Sequence, residues 1–524
     1  MAEATVAHTK DIESFLPELF RVDLSEAEKR LLRAAPEGAL AMCGPNDKPN
    51  DPANDPARAD SWECGREIRA ELIRWLCVDE KASKLVDPRG IRVYAAKITG
   101  SLDLTFATLA FPLRLTLCRL TDDADLRYAK MPSLVLFGSS TRSLTMDGAE
   151  VRGGVFLHNG FSANGGVRLL DARIGGDLIC GGGTFSNMNG PALDADRAEI
   201  RGGVFLNKGF LAAGEVRMLE SKIGGSIECE GGKFSALSLN RASIRDSFFW
   251  SEITEGRNTK LDLRDARVGD LEDDEASWPE KGNLLLDGFV YERIGGTRTD
   301  ARSRLRWLGR LEGFKPQPYR QLAKVLQGMG DDEGAKQVLF ELESKARAED
   351  RRRLVGSPVH RLIRSGEDTV SGVTVGYGIY PIWALGYSLA LAALGWVVFR
   401  RAQRVGAMAP KDKDAYAEFH HNEGKVPASC QPFNPLIYSF ENCIPLVKLG
   451  QDEFWQPDPN PKHREAKVGR GKFRRAVDSV LDSVVPEWAV TPGALLWFRW
   501  IVIGLGWLLA TFFVAGLTGI LKGG

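Results

Sequence analysis

Apolar and polar positions keep three different periods along this chain, and each period predicts a different element. From Ile91 to Ile294 the pattern is the short alternation of strands. Ala149-Glu-Val-Arg-Gly-Gly-Val-Phe-Leu157 returns as Ala198-Glu-Ile-Arg-Gly-Gly-Val-Phe-Leu206, and Glu150–Ser186 matches Glu199–Ser235 without a gap, a superrepeat of 49 residues. Inward-type residues Ile98, Leu120, Val151, Ile174, Ile200, Ile223, Ile244 and Val268 follow one another at steps of 21 to 31, commonly 23. A rung this short cannot bury its apolar side alone, so the repeats predict a stack. The expected fold is mainly β with α: a β-solenoid over residues 91–296, of either hand, with Gly pairs bending the chain between the strands of each rung.

On either side the period becomes helical. Residues 1–90 predict a cap: a short helix at Leu24–Leu32 with Ser25 at its N-cap, a loop at Gly44–Ala59, and an amphipathic helix carrying Ile68, Leu72, Ile73 and Leu76. Such a helix covers the otherwise sticky first rung. Residues 297–370 predict a helical hairpin of the tetratricopeptide kind, Gln317–Leu326 and Glu333–Glu343 around Gly328-Met-Gly-Asp-Asp332. A basic run follows, Lys345 to Arg353 with Arg361 and Arg364. It reads equally as a solvated helix face or as a contact with anionic lipid headgroups.

The third pattern is uninterrupted apolarity. Val375–Phe399 and Trp500–Leu521 each exceed the roughly 20 residues that span a bilayer, which defines transmembrane segments at 371–399 and 494–524 with a loop at 400–493. Trp396, Arg400, Arg401, Trp497, Arg499 and Trp500 are the expected residues of the membrane interface, with Arg499 at the edge where it can snorkel. Gly386 with Ala390, and Gly506 with Ala510, place small residues four apart for close helix packing within a hairpin or between subunits. In the loop, Phe433–Leu449 reads as an amphipathic surface segment, with a re-entrant or interfacial helix as the alternative, and Cys430 and Cys443 stand as a pair or as free thiols.

The start of the chain shows no basic segment followed by an apolar core, so the large N-terminal region is expected in the cytoplasm, with the two spans in the membrane that bounds it. Arg400, Arg401 and Arg404 argue for the opposite orientation.

Composition changes the picture only by exclusion. Sixty-nine basic residues balance 69 acidic ones, so no net field draws nucleic acid to the whole molecule. Eight cysteines in 524 residues do not make a disulfide scaffold. Cys180 and Cys229 occupy equivalent places two rungs apart, on the order of 10 Å, and read as buried small hydrophobes.

The Gly pairs are followed by no helix, as a phosphate loop requires, and lack the Gly-Gly-x-Gly-x-Asp of calcium-binding repeats. Gly328-x-Gly330-x-x-x-Gly334 follows a helix rather than a strand, which argues against dinucleotide binding. Asp270-Leu-Glu-Asp-Asp-Glu275 reads as a solvated acidic turn, and His420-His421 as surface histidines with no second ligand pair at metal spacing. Thr374-Val-Gly-Tyr-Gly378 matches a potassium-filter signature but has no apolar pore helix before it. No catalytic, cofactor-binding or metal-binding residue is assigned.

The order Ile68-Arg-Ala-Glu-Leu-Ile-Arg-Trp-Leu-Cys77, then Ile-x-Gly-x-Leu-x-Leu rungs, then Gln317-Pro-Tyr-x-Gln-Leu-Ala323, then Gly376-Tyr-Gly-Ile-Tyr-Pro381, then Pro445-Leu-Val-x-Leu-Gly450 resembles a group of bacterial membrane proteins with pentapeptide-like rungs, sometimes labelled membrane-associated oxidoreductases. That resemblance implies a solenoid anchored by both spans in a bacterial inner membrane but carries no catalytic residues. Three classes of function follow. The first is a scaffold offering the solenoid to protein partners, with membrane lipid around the spans and a homo-oligomer as a further partner. The second is an oligomeric pore or membrane-perturbing effector with the solenoid as sensor. The third is an oxidoreductase, for which no Cys-x-x-Cys, haem or dinucleotide motif is present.

Overall fold

The computed structural model describes residues 12, 14–21, 23–353, 358–422, 425–444, 447–461 and 484–518, with side chains throughout except at 19, 21, 353, 358–364 and 367. The chain divides into two compact units, Met1–Leu339 and Phe340–Gly524.

The first unit is a β-solenoid of about nine turns, flanked by helices. Its strands are mostly two residues long and pair in parallel, forming one sheet of 17 strands and another of 15 among the described residues. Val151, Ile174, Ile200, Ile223 and Ile244 face one another in successive rungs of the larger sheet, all of them buried.

The equivalent positions expected from the sequence fall into two columns. Ile98 and Leu120 pair in the smaller sheet, whereas the column of Val151 is continued upstream by Met131. The 31-residue step from Leu120 to Val151 therefore hides a rung. That rung reads Lys130-Met131-Pro132, with no Gly pair to announce it.

Each turn closes through a left-handed residue at one corner. Phe106, Tyr128, Gly148, Asp171, Arg197, Glu220, Arg241, Asp265 and Gly288 all have φ between 55° and 73°. The residue after each is buried, and all but Ser221 and Phe289 are Ala, small enough to fit a corner where the chain turns inward. Inside the stack, Phe161, Phe185, Phe210, Phe234 and Trp250 form a ladder with ring centroids 5.4, 5.1, 5.3 and 5.4 Å apart. Stacking therefore repeats an aromatic contact as well as a strand pairing.

Both ends are closed. At the N-terminal end helix Glu26–Glu37 starts in a capping box between Ser25 and Glu28, and the buried Glu28 carboxylate accepts from Arg69 Nε and Nη2 at 2.7 and 2.8 Å. Ile68, expected in a helix, lies on strand Glu67–Arg69 and pairs with Ile98; the helix runs from Ala70 to Val78. The edge carbonyl of Asp103 accepts from Arg74. At the other end helix Pro316–Gly328 supplies Gln317 and Gln321, whose Nε2 atoms donate to the carbonyls of Phe289 and Tyr291 at 3.1 and 2.6 Å. These side chains satisfy strand groups that another rung would otherwise pair.

In the second unit, helices Ile382–Arg404 and Pro492–Leu517 are long and apolar enough to cross a membrane. The first begins later than its hydropathy suggests. Gly376, Tyr377 and Gly378 all take positive φ, of 55°, 56° and 84°, and end helix Pro358–Val375. Thr374-Val-Gly-Tyr-Gly378 is thus the end of one helix and a turn into the next.

The short helix Pro435–Cys443, within the stretch read as a surface segment or a re-entrant or interfacial helix, packs against both apolar helices. Ser439 Oγ donates to Ala392 O at 2.7 Å, and a Cβ on Gly506 would sit 2.0 Å from Cys443 O. Its Tyr438 joins Phe399, Phe433, Trp455 and Leu495 in a core that gives the loop region its own packing. The antiparallel pair Met408–Pro410 and Trp455–Pro457 completes it.

Candidate functional site: the lateral faces of the solenoid

With its ends closed, the solenoid presents its lateral faces, and their chemistry is set by which residue each rung points outward. On the larger sheet the outward positions of the first strand are charged and linked between rungs. Glu150 receives Lys130 and Arg173 at 3.2 and 3.9 Å, and Glu199 receives Lys222 at 2.9 Å. The second strand turns Phe156, Ile179 and Phe205 outward, each partly exposed.

The Gly pairs have two uses here. A Cβ on Gly175 or Gly224 would lie 2.1 or 2.2 Å from the carbonyl oxygen of Arg152 or Arg201 in the preceding rung. On Gly154 and Gly203 it would strike the rings of Phe156 and Phe205 at 2.9 and 3.1 Å. The pairs let rungs approach and give the outward rings a flat bed.

Another lateral face carries a groove of about 630 Å³ between the loop Pro49–Arg58 and the rungs, lined by Arg58, Arg119, Ser140, Ser162 and Asn164. Ser140 and Ser162 stand in register on adjacent strands. Arg119 donates to Ser140 Oγ at 3.3 Å. The groove is open and polar, suited to an extended segment with donors and acceptors spaced at the rung repeat of about 4.8 Å.

Most of the thiols are placed in the packed interior. All eight cysteines are free, and Cys43, Cys77, Cys118, Cys180, Cys229 and Cys443 are buried. Burial pushes the Cys43 thiol up to about 11 and those of Cys77 and Cys118 up to about 12, which keeps them protonated and weakly nucleophilic. No group of three His, Cys, Asp or Glu side chains suited to a metal ion occurs among the described residues.

His420 is not a simple surface residue: its Nε2 stands 3.0 Å from Oδ2 of the buried Asp458, whose Oδ1 accepts from Tyr416 at 2.9 Å. His421 is exposed. The cluster sits on helix Lys413–His421 and supports the short antiparallel pair.

The residues proposed for the membrane interface and for helix packing distribute as follows. Arg361 and Arg364 lie on helix Pro358–Val375, and their side chains are outside the described residues. Upstream in the basic run, Arg347 and Arg351 clamp the buried Asp368 at 3.0 and 2.7 Å.

Arg400 lies over the ring of Trp396, 5.6 Å from its centroid, while Arg401 is buried and donates to Val485 O. Trp497 and Trp500 are exposed and meet edge to face at 5.2 Å. Arg499 Nε donates to Asn442 Oδ1 at 3.0 Å and its Nη2 to the Asp452 carboxylate.

Gly386 has open space around it. Ala390 lines an apolar groove of about 640 Å³ with Val370, Tyr387, Leu394 and Leu505. Gly506 is buried against Cys443, and Ala510 is partly buried. The inward small residues of the first apolar helix are Ala384, Ser388, Ala392 and Gly395, a stripe the hydropathy pattern contains but does not distinguish from its outward Gly386 and Ala390.

No family model, curated protein or solved structure matches the chain. The resemblance drawn from short motifs therefore rests on the solenoid alone, and the protein is described by what its structure defines: a capped β-solenoid joined in one chain to two apolar helices.

Proposed function

We propose that this protein is a membrane-anchored scaffold that offers a lateral face of its solenoid to a protein partner and has no catalytic activity of its own. The observation that carries this reading is the open groove between Pro49–Arg58 and the rungs, where Arg119, Ser140 and Ser162 repeat polar groups along the stack. Closed ends leave such faces as the solenoid's available surface, and stacked repeats bind through extended lateral surfaces.

In this proposal both apolar helices cross a bacterial inner membrane and the solenoid stays on the cytoplasmic side. The eight unpaired, mostly buried thiols support a reducing compartment. The test is crosslinking and affinity purification from native membranes with the full chain. A partner recovered with wild type, lost with Ser162→Lys and retained with a distant substitution such as Lys222→Gln supports the scaffold. Recovery unchanged by broad substitution of the groove sinks it.

A further inference from the structure

Six consecutive rungs of the larger sheet each place one basic side chain on the same face: Lys130, Arg152, Arg173, Arg201, Lys222 and Arg245. At about 4.8 Å per rung the row is roughly 24 Å long. All six are exposed. The carboxylates in the same columns are Glu150 and Glu199, and these are taken by Lys130, Arg173 and Lys222.

Arg152, Arg201 and Arg245 form no ion pair among the described residues, and they recur at every second rung, about 10 Å apart. They alternate with Gly175 and Gly224, which lack side chains that could screen them. Beside this row, Phe156, Ile179 and Phe205 are partly exposed, with the two rings over Gly154 and Gly203. The face therefore combines regularly spaced unpaired cations with shallow apolar side chains, and the strip ends where Glu228 follows Phe205, its carboxylate accepting from Asn207 Nδ2 at 2.8 Å.

We infer that this face docks on anionic lipid headgroups, the guanidiniums of Arg152, Arg201 and Arg245 contacting phosphate groups and the Phe156–Phe205 strip entering the headgroup boundary. Basic residues next to aromatic and aliphatic ones are what a peripheral membrane surface needs, because charge attraction and apolar burial add. A nucleic-acid strand is the competing polyanion. Rings two rungs apart, on the order of 10 Å, do not match the closer spacing of stacked bases. A bilayer is also the surface held at high local concentration if the two apolar helices span it, so this inference rests on the anchoring in the proposed function.

The test uses the full chain reconstituted in nanodiscs of neutral lipid, with or without an anionic lipid carrying a photoreactive headgroup, and reads crosslinked peptides by mass spectrometry. The expected result is incorporation into both discs, with headgroup crosslinks concentrated on Lys130–Phe249 in the anionic discs. These crosslinks should fall at least ~10-fold in Arg152→Gln/Arg201→Gln/Arg245→Gln and recover with Lys at the three positions. The Lys variant keeps the result interpretable if the Gln variant folds poorly. Incorporation without such crosslinks, or crosslinks unaffected by the triple variant, overturns the inference while leaving anchoring intact. Failure to incorporate overturns both. Displacement of wild-type crosslinks by a short single-stranded RNA, with the RNA retained on this face, overturns it in favour of nucleic acid.

Discussion

The guanidinium of Arg304 lies fully buried against Asp273, donating to both carboxylate oxygens at 2.9 and 2.6 Å, with the ring centroids of Trp278 and Trp307 at 5.6 and 5.5 Å. Asp273 ends a strand of the last rungs and Arg304 begins the helical region after them, so this pair fastens the C-terminal cap to the stack. Trp278 Nε1 adds a third hydrogen bond to the same carboxylate at 3.1 Å. Removing one member leaves the other charge uncompensated in the interior. Arg304→Met is expected to cost about 3–5 kcal/mol, and adding Asp273→Asn, which keeps an acceptor for Trp278, is expected to restore part of it. Denaturant unfolding of the four proteins of this cycle measures the coupling.

The aromatic ladder makes a second prediction. Phe210 is wholly buried between Phe185 and Phe234. Truncation to Ala leaves a cavity and breaks two ring contacts, an expected loss of about 3–5 kcal/mol; Phe210→Leu retains most of the volume and is expected to cost less than half as much. Thermal unfolding followed by near-ultraviolet circular dichroism reads both, since the ladder ends at Trp250.

Gly224 tests the close approach of rungs. Its Cβ would lie 2.2 Å from the backbone oxygen of Arg201, which cannot swing away as a side chain tip could. Gly224→Ala is expected to destabilise by about 1–3 kcal/mol. Gly328→Ala, at a helical position with nothing within 4 Å, is expected to be neutral or stabilising. Equal midpoints for the two variants would contradict the assigned role of the Gly pairs.

How much of this was legible in the sequence depended on whether a rung wrote its inward residue in apolar letters. Val151 through Ile244 could be aligned because each is β-branched and followed within one residue by a Gly or an Arg-Gly pair, except Ile244, which precedes Arg245-Asp246. The strand at Ser140–Thr141 continues the column of Leu120 with hydroxyls, and Met131 lacks the Gly pair, so the sequence does not announce that rung.

Ser25 was readable as an N-cap because capping is local in sequence. The groove at Arg119, Ser140 and Ser162 was not, because it requires the loop around Asp51 to fold back across rungs some 70 to 110 residues later. The burial of His420 is hidden from the sequence for the same reason: Asp458 lies 38 positions on, in a stretch with no pattern of its own.

His158 supplies a prediction in pH. Its ring meets Phe137 edge on at 5.1 Å, and burial holds its pKa below the ordinary histidine value, outweighing a hydrogen bond with Asn159 that acts the other way. The folded state therefore binds a proton less readily than the unfolded chain. Its contribution is present above the unfolded value of about 6.5 and is lost as pH falls through that value toward the folded one. Wild type is expected to lose more stability than His158→Gln between about pH 7 and 5, and parallel stability curves for the two would exclude this role.

The arrangement of the second unit depends on Gly506. A methyl group there would collide with the Cys443 carbonyl, and Cys443 Sγ itself donates to Ser388 O at 3.2 Å, so one small residue allows the short helix to rest on both apolar helices. Gly506→Ala is expected to push helix Pro435–Cys443 outward and expose the Cys443 thiol. Gly386→Ala, where nothing lies within 4 Å, is expected to leave it buried. In a background with Cys64 and Cys430 replaced by Ser, maleimide labelling of Cys443 under native conditions should be at least ~10-fold faster in Gly506→Ala than in wild type, since modification then follows the population of the opened state. Equal labelling of Gly506→Ala and Gly386→Ala would mean that the short helix is held in place by the core around Tyr438 and Trp455 rather than by this contact.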